Sequence, residues 1–285
     1  KTDQARTEQA RAFEFPIRYV IGRAGRLILH DAMTRVNMDF THDVCYQGAF
    51  DLEASLKSGR AEGLKVFGNW NTIYEGLAEL PEQVRKSWFA FDHFYSDGAF
   101  PRLLPAVFER KPGRLLDVGG NTGKWALACA AFDSDVQITI LDHPGQLQEA
   151  LANALTAGVA NRVLGSAMNL LDHAAPFPTC FDAVWMSQFL DCFPESDIVS
   201  LLTRGRRALA PGGRLYVLET YWDKQPNEVA RYSIHATSLY FSCMANGTSR
   251  MYHSDDMRRC LDVAGLVLES ETQFTYHTLF NCRPK

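Results

Sequence analysis

The stretch Arg114 to Gly123, RLLDVGGNTG, constrains this chain more than any other. Leu115, Leu116 and Val118 form a short apolar run that stops at a glycine cluster, and Lys124 to Ala131, KWALACAA, reads as a helix. Strand, tight turn and helix in that order place bare backbone N–H groups and a helix N-terminus at one edge of a parallel sheet, where a polar ligand can approach closely. Gly119, Gly120 and Gly123 supply the room, and Asp117 at the strand end offers a carboxylate to something cationic or rich in hydroxyls. The spacing is not that of the dinucleotide fingerprint G-x-G-x-x-G. Starting from Gly119 or Gly120, the third position falls on Asn121 or Thr122, which disfavours a nicotinamide oxidoreductase.

A second β-branched run, Val136 to Leu141 (VQITIL), ends at Asp142. An acid about 20 residues beyond the glycines is where nucleotide-binding α/β folds hold ribose hydroxyls. Beyond these two strands, Pro144 to Ala157 reads as a helix and 160–169 climbs into a third strand. Phe181 to Phe189 is a fourth, with Ser187 and Gln188 at its switch-point end, and Pro211 to Glu219 is a PGG turn followed by a fifth. The segment 267–283 reads as two closing strands, so the alternation predicts a doubly wound, mainly parallel α/β sheet with an antiparallel edge.

Upstream, Thr2 to Ile21 reads as an amphipathic helix through Phe13, Ile17, Val20 and Ile21, ending at Gly22. Asp31 to Tyr46 reads as mixed helix and loop with an apolar stripe, and Gly59 to Asn71 as a loop. Within Leu80 to Phe108, the run WFAFDHFYSDGAF sets Trp88, Phe91, Phe94 and Tyr95 at helical spacing. Such a face suits either a buried core or the wall of a pocket for a flat ligand. His93 reads as a satisfied polar residue. Glu228 to Ala245 reads as a helical, aromatic segment on the pocket's other side, and HSDDMRRCLDVAGL as a helix with Ser254 as N-cap.

Composition narrows the function classes. A net charge of −4 gives no general attraction to nucleic acid or to an anionic membrane, and no basic run contradicts this. Seven cysteines, an odd number spread singly from Cys45 to Cys282 with no C-x-x-C pair, argue against a disulfide framework and against zinc. No apolar stretch reaches membrane-spanning length and the N-terminus is polar, so a cytoplasmic protein is expected.

The ordered set RLLDVGGNTGKWA, ITILD, FDAVWMSQFLD, LAPGGRLYVLE and ANGTSRMYHSDDMRRCLDVAGL resembles the S-adenosylmethionine-dependent O-methyltransferases. Within them it is similar to the group of plant caffeate-type and bacterial hydroxyindole and polyketide enzymes, over about Leu27 to the C-terminus. The resemblance implies a seven-stranded Rossmann-like methyltransferase domain over 109–285, preceded by a helical dimerisation and acceptor-pocket region over 1–108. It also implies a homodimer. A winged-helix-like segment belongs between the N-terminal helix and the equivalent of Leu27. Here GRAGR (Gly22 to Arg26) passes directly into LILHDAM, so a segment is expected to be missing near this junction.

The resemblance further implies S-adenosylmethionine as cofactor, S-adenosylhomocysteine as its product, a small-molecule acceptor and no metal. Asp117, Gly119, Gly120, Gly123, Asp142, Ser187 and Gln188 fall at cofactor-binding positions. Met168 and Asn169 stand where an acidic residue usually meets the adenine edge. Phe91, Phe94 and Tyr95 belong to the helix that covers a flat aromatic substrate. The family's histidine base lies in a leucine, histidine, aspartate, tryptophan segment, and here that segment is Leu190, Asp191, Cys192, Phe193, so Asp191 takes the base position. Of the two glutamates that hold that histidine, Glu219 matches one and Ser249 replaces the other. A phenol-like hydroxyl of pKa near 10 must lose its proton before transfer, and an exposed aspartate near pKa 3.9 is a weak base for it unless burial raises that value. The expected function is thus O-methyl transfer to a small hydroxylated aromatic acceptor. A cofactor-binding relative without methyl transfer, in another chemistry or a ligand-binding regulatory role, is the alternative.

Overall fold

The computed structural model describes residues 18–285. Among the described residues the longer helices ahead of the sheet are α1 Arg23–His30, α2 Ala32–Phe40, α3 Leu52–Ser58, α4 Glu82–Asp97 and α5 Phe100–Phe108. The expected helix up to Ile21 lies largely outside the described residues. Its described end, 18–22, is not helical, and Gly22 is the N-cap of α1 rather than a helix stop. Across 22–26 the backbone is continuous, with Arg26 N–H donating to Gly22 O at 3.0 Å.

The sheet comprises β1 Arg114–Val118, β2 Gln137–Asp142, β3 Val163–Ala167, β4 Phe181–Ser187, β5 Leu209–Glu219, β6 Leu266–Gln273 and β7 Thr278–Pro284. Their order is β3-β2-β1-β4-β5-β7-β6. The first five strands are parallel, and β7 runs antiparallel to both β5 and β6. The order therefore reverses between β1 and β4. In an open α/β sheet the strand ends diverge at such a point and leave a crevice for a ligand.

Alternation along each strand sends successive side chains to opposite faces, and each face has its own core. Leu116, Val118, Val184, Met186 and Val217 pack with Ile198 and Leu201 of α8 (Glu195–Ala208) and Met257 and Leu261 of α10 (Ser254–Val263). Leu115, Ile138, Ile140, Trp185 and Leu218 pack with α5, with Trp125 and Cys129 of α6 (Lys124–Phe132), and with Ala150 of α7 (Pro144–Thr156). Trp125 lies flat on Trp185, ring centroids 4.0 Å apart. The α10 cap differs by one residue from expectation. His253 is the N-cap, closing a capping box with Asp256, while Ser254 turns its hydroxyl to Asp223 at 2.7 Å.

A third core joins the N-terminal helices to the segment that follows α9 (Glu228–Ala236). Phe40, Leu64, Ile73 and Val84 bury against Tyr240, Phe241, Met244 and Met251. Packing thus crosses the expected 108/109 boundary in both directions: α5 belongs to the sheet core, and 240–251 to the helical one. In contrast, α1 has no buried residue, and Leu27, Ile28 and Leu29 are exposed. Among the described residues no helix is long and apolar enough to cross a membrane.

Candidate active site

The glycine loop sits where the parallel strands end. Gly119 and Gly123 take φ of +73° and +79°, a region that side chains with a Cβ seldom adopt, and Gly119 N–H donates to Leu141 O at 2.8 Å. A Cβ on Gly120 would stand 2.7 Å from Asp117 Oδ2. Asp142 ties the loop down. Its Oδ2 accepts from Asn121 N–H at 2.8 Å and its Oδ1 from His143 N–H at 2.7 Å, and Met168 N–H donates to its carbonyl at 3.0 Å. Burial raises the Asp142 pKa despite those bonds.

Asp117 is 2% exposed and its Oδ2 has no hydrogen-bond partner. Burial first, and the Asp142 charge second, push it up to about 8. A buried carboxyl without a donor is costly unless it is protonated or meets a cation. Met168 is half-buried against the core, and Asn169 is exposed with its Oδ1 accepting from Leu171 N–H at 3.0 Å. Ser187 closes β4 opposite Leu218. Gln188 then turns to φ +44°, and its buried Nε2 has no acceptor.

Beside this edge lies a cavity of about 540 Å³. It is walled by α2, α4, α9 and the turn after β4. Phe91, Tyr95, Gln188 and Asp191 line it, as does the segment after Glu228 through Ala230, Ser233, Thr237 and Tyr240. Phe94 does not; it is 37% exposed and meets only the edge of Tyr95 in the aromatic cluster. Helix geometry explains this correction. At about 100° per residue, Trp88, Phe91, Asp92 and Tyr95 share one stripe, and Phe94 falls about 60° outside it. Phe91 is held by stacking on Phe40 at 4.1 Å.

Asp92 is the site residue that sequence reasoning passed over, and its signal was present: an acid inside an aromatic stripe. It lines the cavity, and its Oδ2 accepts from Asn121 Nδ2 at 3.4 Å. Burial, then the charges of Asp191 and Asp97, push its pKa up to about 7. His93 lies over Phe89 and near Asp92 and Asp97, outside the cavity lining, and burial lowers its pKa.

Asp191 sits in a short turn, Leu190–Cys192, where burial raises its pKa and Cys192 Sγ lies 3.5 Å from its Oδ1. Glu219 acts on the backbone of that turn. Its Oε1 accepts from Phe189 N–H at 3.1 Å and Leu190 N–H at 2.9 Å, while Oε2 is buried without a partner. Burial, reinforced by the Asp191 charge, raises its pKa strongly. Ser249 reaches the turn indirectly. Its hydroxyl donates to Asn246 Oδ1 at 3.0 Å, and Asn246 Nδ2 donates to Cys192 O at 2.5 Å. Asn246 lies in the ANGTSRM motif, but sequence reasoning gave it no role, because its contact is with a turn 54 residues away in the chain. Among the described residues no three His, Cys, Asp or Glu side chains gather as a metal site.

Comparison with known proteins places this geometry. The family model described as "O-methyltransferase domain" matches residues 102–266, more than half of the chain. The L-tyrosine C(3)-methyltransferase of Streptomyces lavendulae is 26% identical over 81% of this chain and 62% of its own length. Aclacinomycin 10-hydroxylase RdmB of Streptomyces purpurascens is 30% identical over 87% of this chain and 65% of its own. The chain thus spans less than two thirds of these two curated relatives. Among solved structures, the apo form of the S-adenosylmethionine-dependent methyltransferase SibL superposes with a TM-score of 0.71 at 26% identity, covering 93% of this chain and 78% of that one. The strand order, the glycine loop at the switch point and the match over 102–266 agree: this chain belongs to the O-methyltransferase domain family.

Proposed function

We propose that this protein transfers a methyl group from S-adenosylmethionine to the hydroxyl of a small aromatic acceptor, leaving S-adenosylhomocysteine. The observation that carries the reading is the aromatic cavity bordered by Asp191 and Gln188, whose lining Asp92 meets Asn121 of the glycine loop at 3.4 Å. When bound, the cofactor supplies an electrophilic methyl on a cationic sulfur. Polar atoms of the loop and of the turn after β4 fit such a ligand: Asp117 Oδ2 and Asn121 Oδ1 are buried acceptors without donors, and Gln188 Nε2 a buried donor without an acceptor. Asp117 suits an ammonium. Gly119, Gly120 and Gly123 give close backbone approach. Asp142 keeps free lone pairs for ribose hydroxyls, with Ser187, Met168 and Asn169 alongside.

The chain's own part in the chemistry is positioning and proton removal. Phe91 and Tyr95 confine a flat ring, and in-line alignment alone can supply about 7–11 kcal/mol. Asp191 accepts the hydroxyl proton, made more basic by burial, and Glu219 holds the Asp191 turn in place. We also infer a cytoplasmic homodimer. The exposed apolar side chains of α1 suit a partner surface ahead of the sheet, and all seven cysteines are free.

The test is calorimetric titration of the protein with S-adenosylmethionine and S-adenosylhomocysteine, followed by mass spectrometry of products from hydroxylated aromatics. Micromolar binding and a product heavier by one methylene are expected. No binding to folded protein would reject the reading, and binding with no product across the panel would favour cofactor binding without methyl transfer.

A further inference from the structure

The charge lining the cavity selects among aromatic acceptors. Two carboxylates, Asp92 and Asp191, face it, and no lysine, arginine or histidine lines it among the described residues. The charge of Asp191 acts directly on Asp92. Lys124, the cation that eases Asp92 from outside the cavity, is already engaged by Asp97 Oδ2 at 2.5 Å. Asn121 Nδ2, at 3.4 Å, is a long and neutral donor to Asp92. The Asp92 side chain keeps 28% of its surface accessible and lines the cavity, so a ligand can reach it. Eight of the other lining residues are aromatic, Trp88, Phe91 and Tyr240 among them, and aromatic rings also attract a cation.

We propose that the acceptor is a cationic aromatic amine, a flat hydroxylated ring carrying an ammonium group that Asp92 holds. This rests on the methyltransferase reading of the cavity and names its substrate class. An ammonium would neutralise the carboxylate and supply charge-assisted hydrogen bonds, whereas an aromatic acid would bring a third negative charge against two and find no cation to receive it. A neutral phenol would leave Asp92 as it stands.

The test is calorimetric titration of the protein, loaded with S-adenosylhomocysteine, with three ligands of one shape: tyramine, 4-ethylphenol and 3-(4-hydroxyphenyl)propionate. Tyramine is expected to bind at least about tenfold more tightly than 4-ethylphenol, and the propionate more weakly than either. Asp92→Asn is expected to remove the tyramine preference, bringing the tyramine and 4-ethylphenol affinities within about twofold of each other. Equal affinities, or preference for the propionate, would overturn the proposal. So would an Asp92→Asn protein that keeps the tyramine preference but lowers affinity for S-adenosylmethionine relative to S-adenosylhomocysteine, because Asp92 would then serve the sulfonium. Loss of S-adenosylhomocysteine binding itself would count against the methyltransferase reading alone. The same three ligands titrated without it would still read the amine preference.

Discussion

The buried, unpartnered carboxyl of Asp117 makes the unliganded protein lose stability as pH rises. Its folded pKa is about 8, against roughly 3.9 in an unfolded chain. Between those values the folded protein holds a proton that the unfolded chain has released, so stability is full below about pH 4 and falls up to about pH 8. One such proton gives a slope of about −1.4 kcal/mol per pH unit, or about 2.5 kcal/mol between pH 5 and 7. Asp117→Asn keeps the shape and removes the proton equilibrium. Other groups, Asp92 among them, add the same slope to both proteins, so the difference between them isolates Asp117. Urea unfolding at pH 5, 6 and 7 should therefore show the wild type losing up to about 2.5 kcal/mol more than the variant over that range. Whatever constant offset the amide introduces does not enter the difference. A second reading comes from the ligand. If an ammonium meets Asp117, binding at pH 6.5 releases a proton from the wild type, visible as a buffer-dependent binding enthalpy, and none from Asp117→Asn. Parallel pH profiles for the two proteins would refute the argument that this carboxyl is protonated when unliganded.

Asp191→Asn should lower the methyl-transfer rate by about 10²- to 10⁴-fold with little change in S-adenosylhomocysteine affinity, and an unchanged rate in product assays would remove Asp191 from the proton-transfer role. Gly119→Ala should weaken S-adenosylhomocysteine binding by about tenfold or more, because the added Cβ meets the Phe189 ring in a backbone conformation that alanine resists; unaltered affinity by calorimetry would place the ligand elsewhere. Phe91→Ala should cost about 2 kcal/mol or more in urea unfolding and weaken aromatic ligands, whereas Phe94→Ala should stay within about 1 kcal/mol and leave ligand affinity unchanged. Equal effects would contradict the assigned helix faces.

Local pattern alone determined the glycine-loop edge of the sheet. A strand that must end, a turn only glycines can make and a helix that must begin are consequences of neighbouring residues, so Asp117, Gly119, Gly123 and Asp142 were legible in order. The strands were legible too, because period and β-branching are carried by each segment. The cavity was not. Whether an aromatic on α4 faces a ligand depends on which rotation of that helix meets Phe40 and Tyr240, which separated Phe91 and Tyr95 from Phe94 and brought Asp92 inward. Only the tertiary structure decided that Glu219 supports a backbone turn, that Asn246 reaches that turn from the far side, and that two acids share one cavity without a lining cation among the described residues. Contacts between residues far apart in the chain are set by packing and burial, and no local period encodes them.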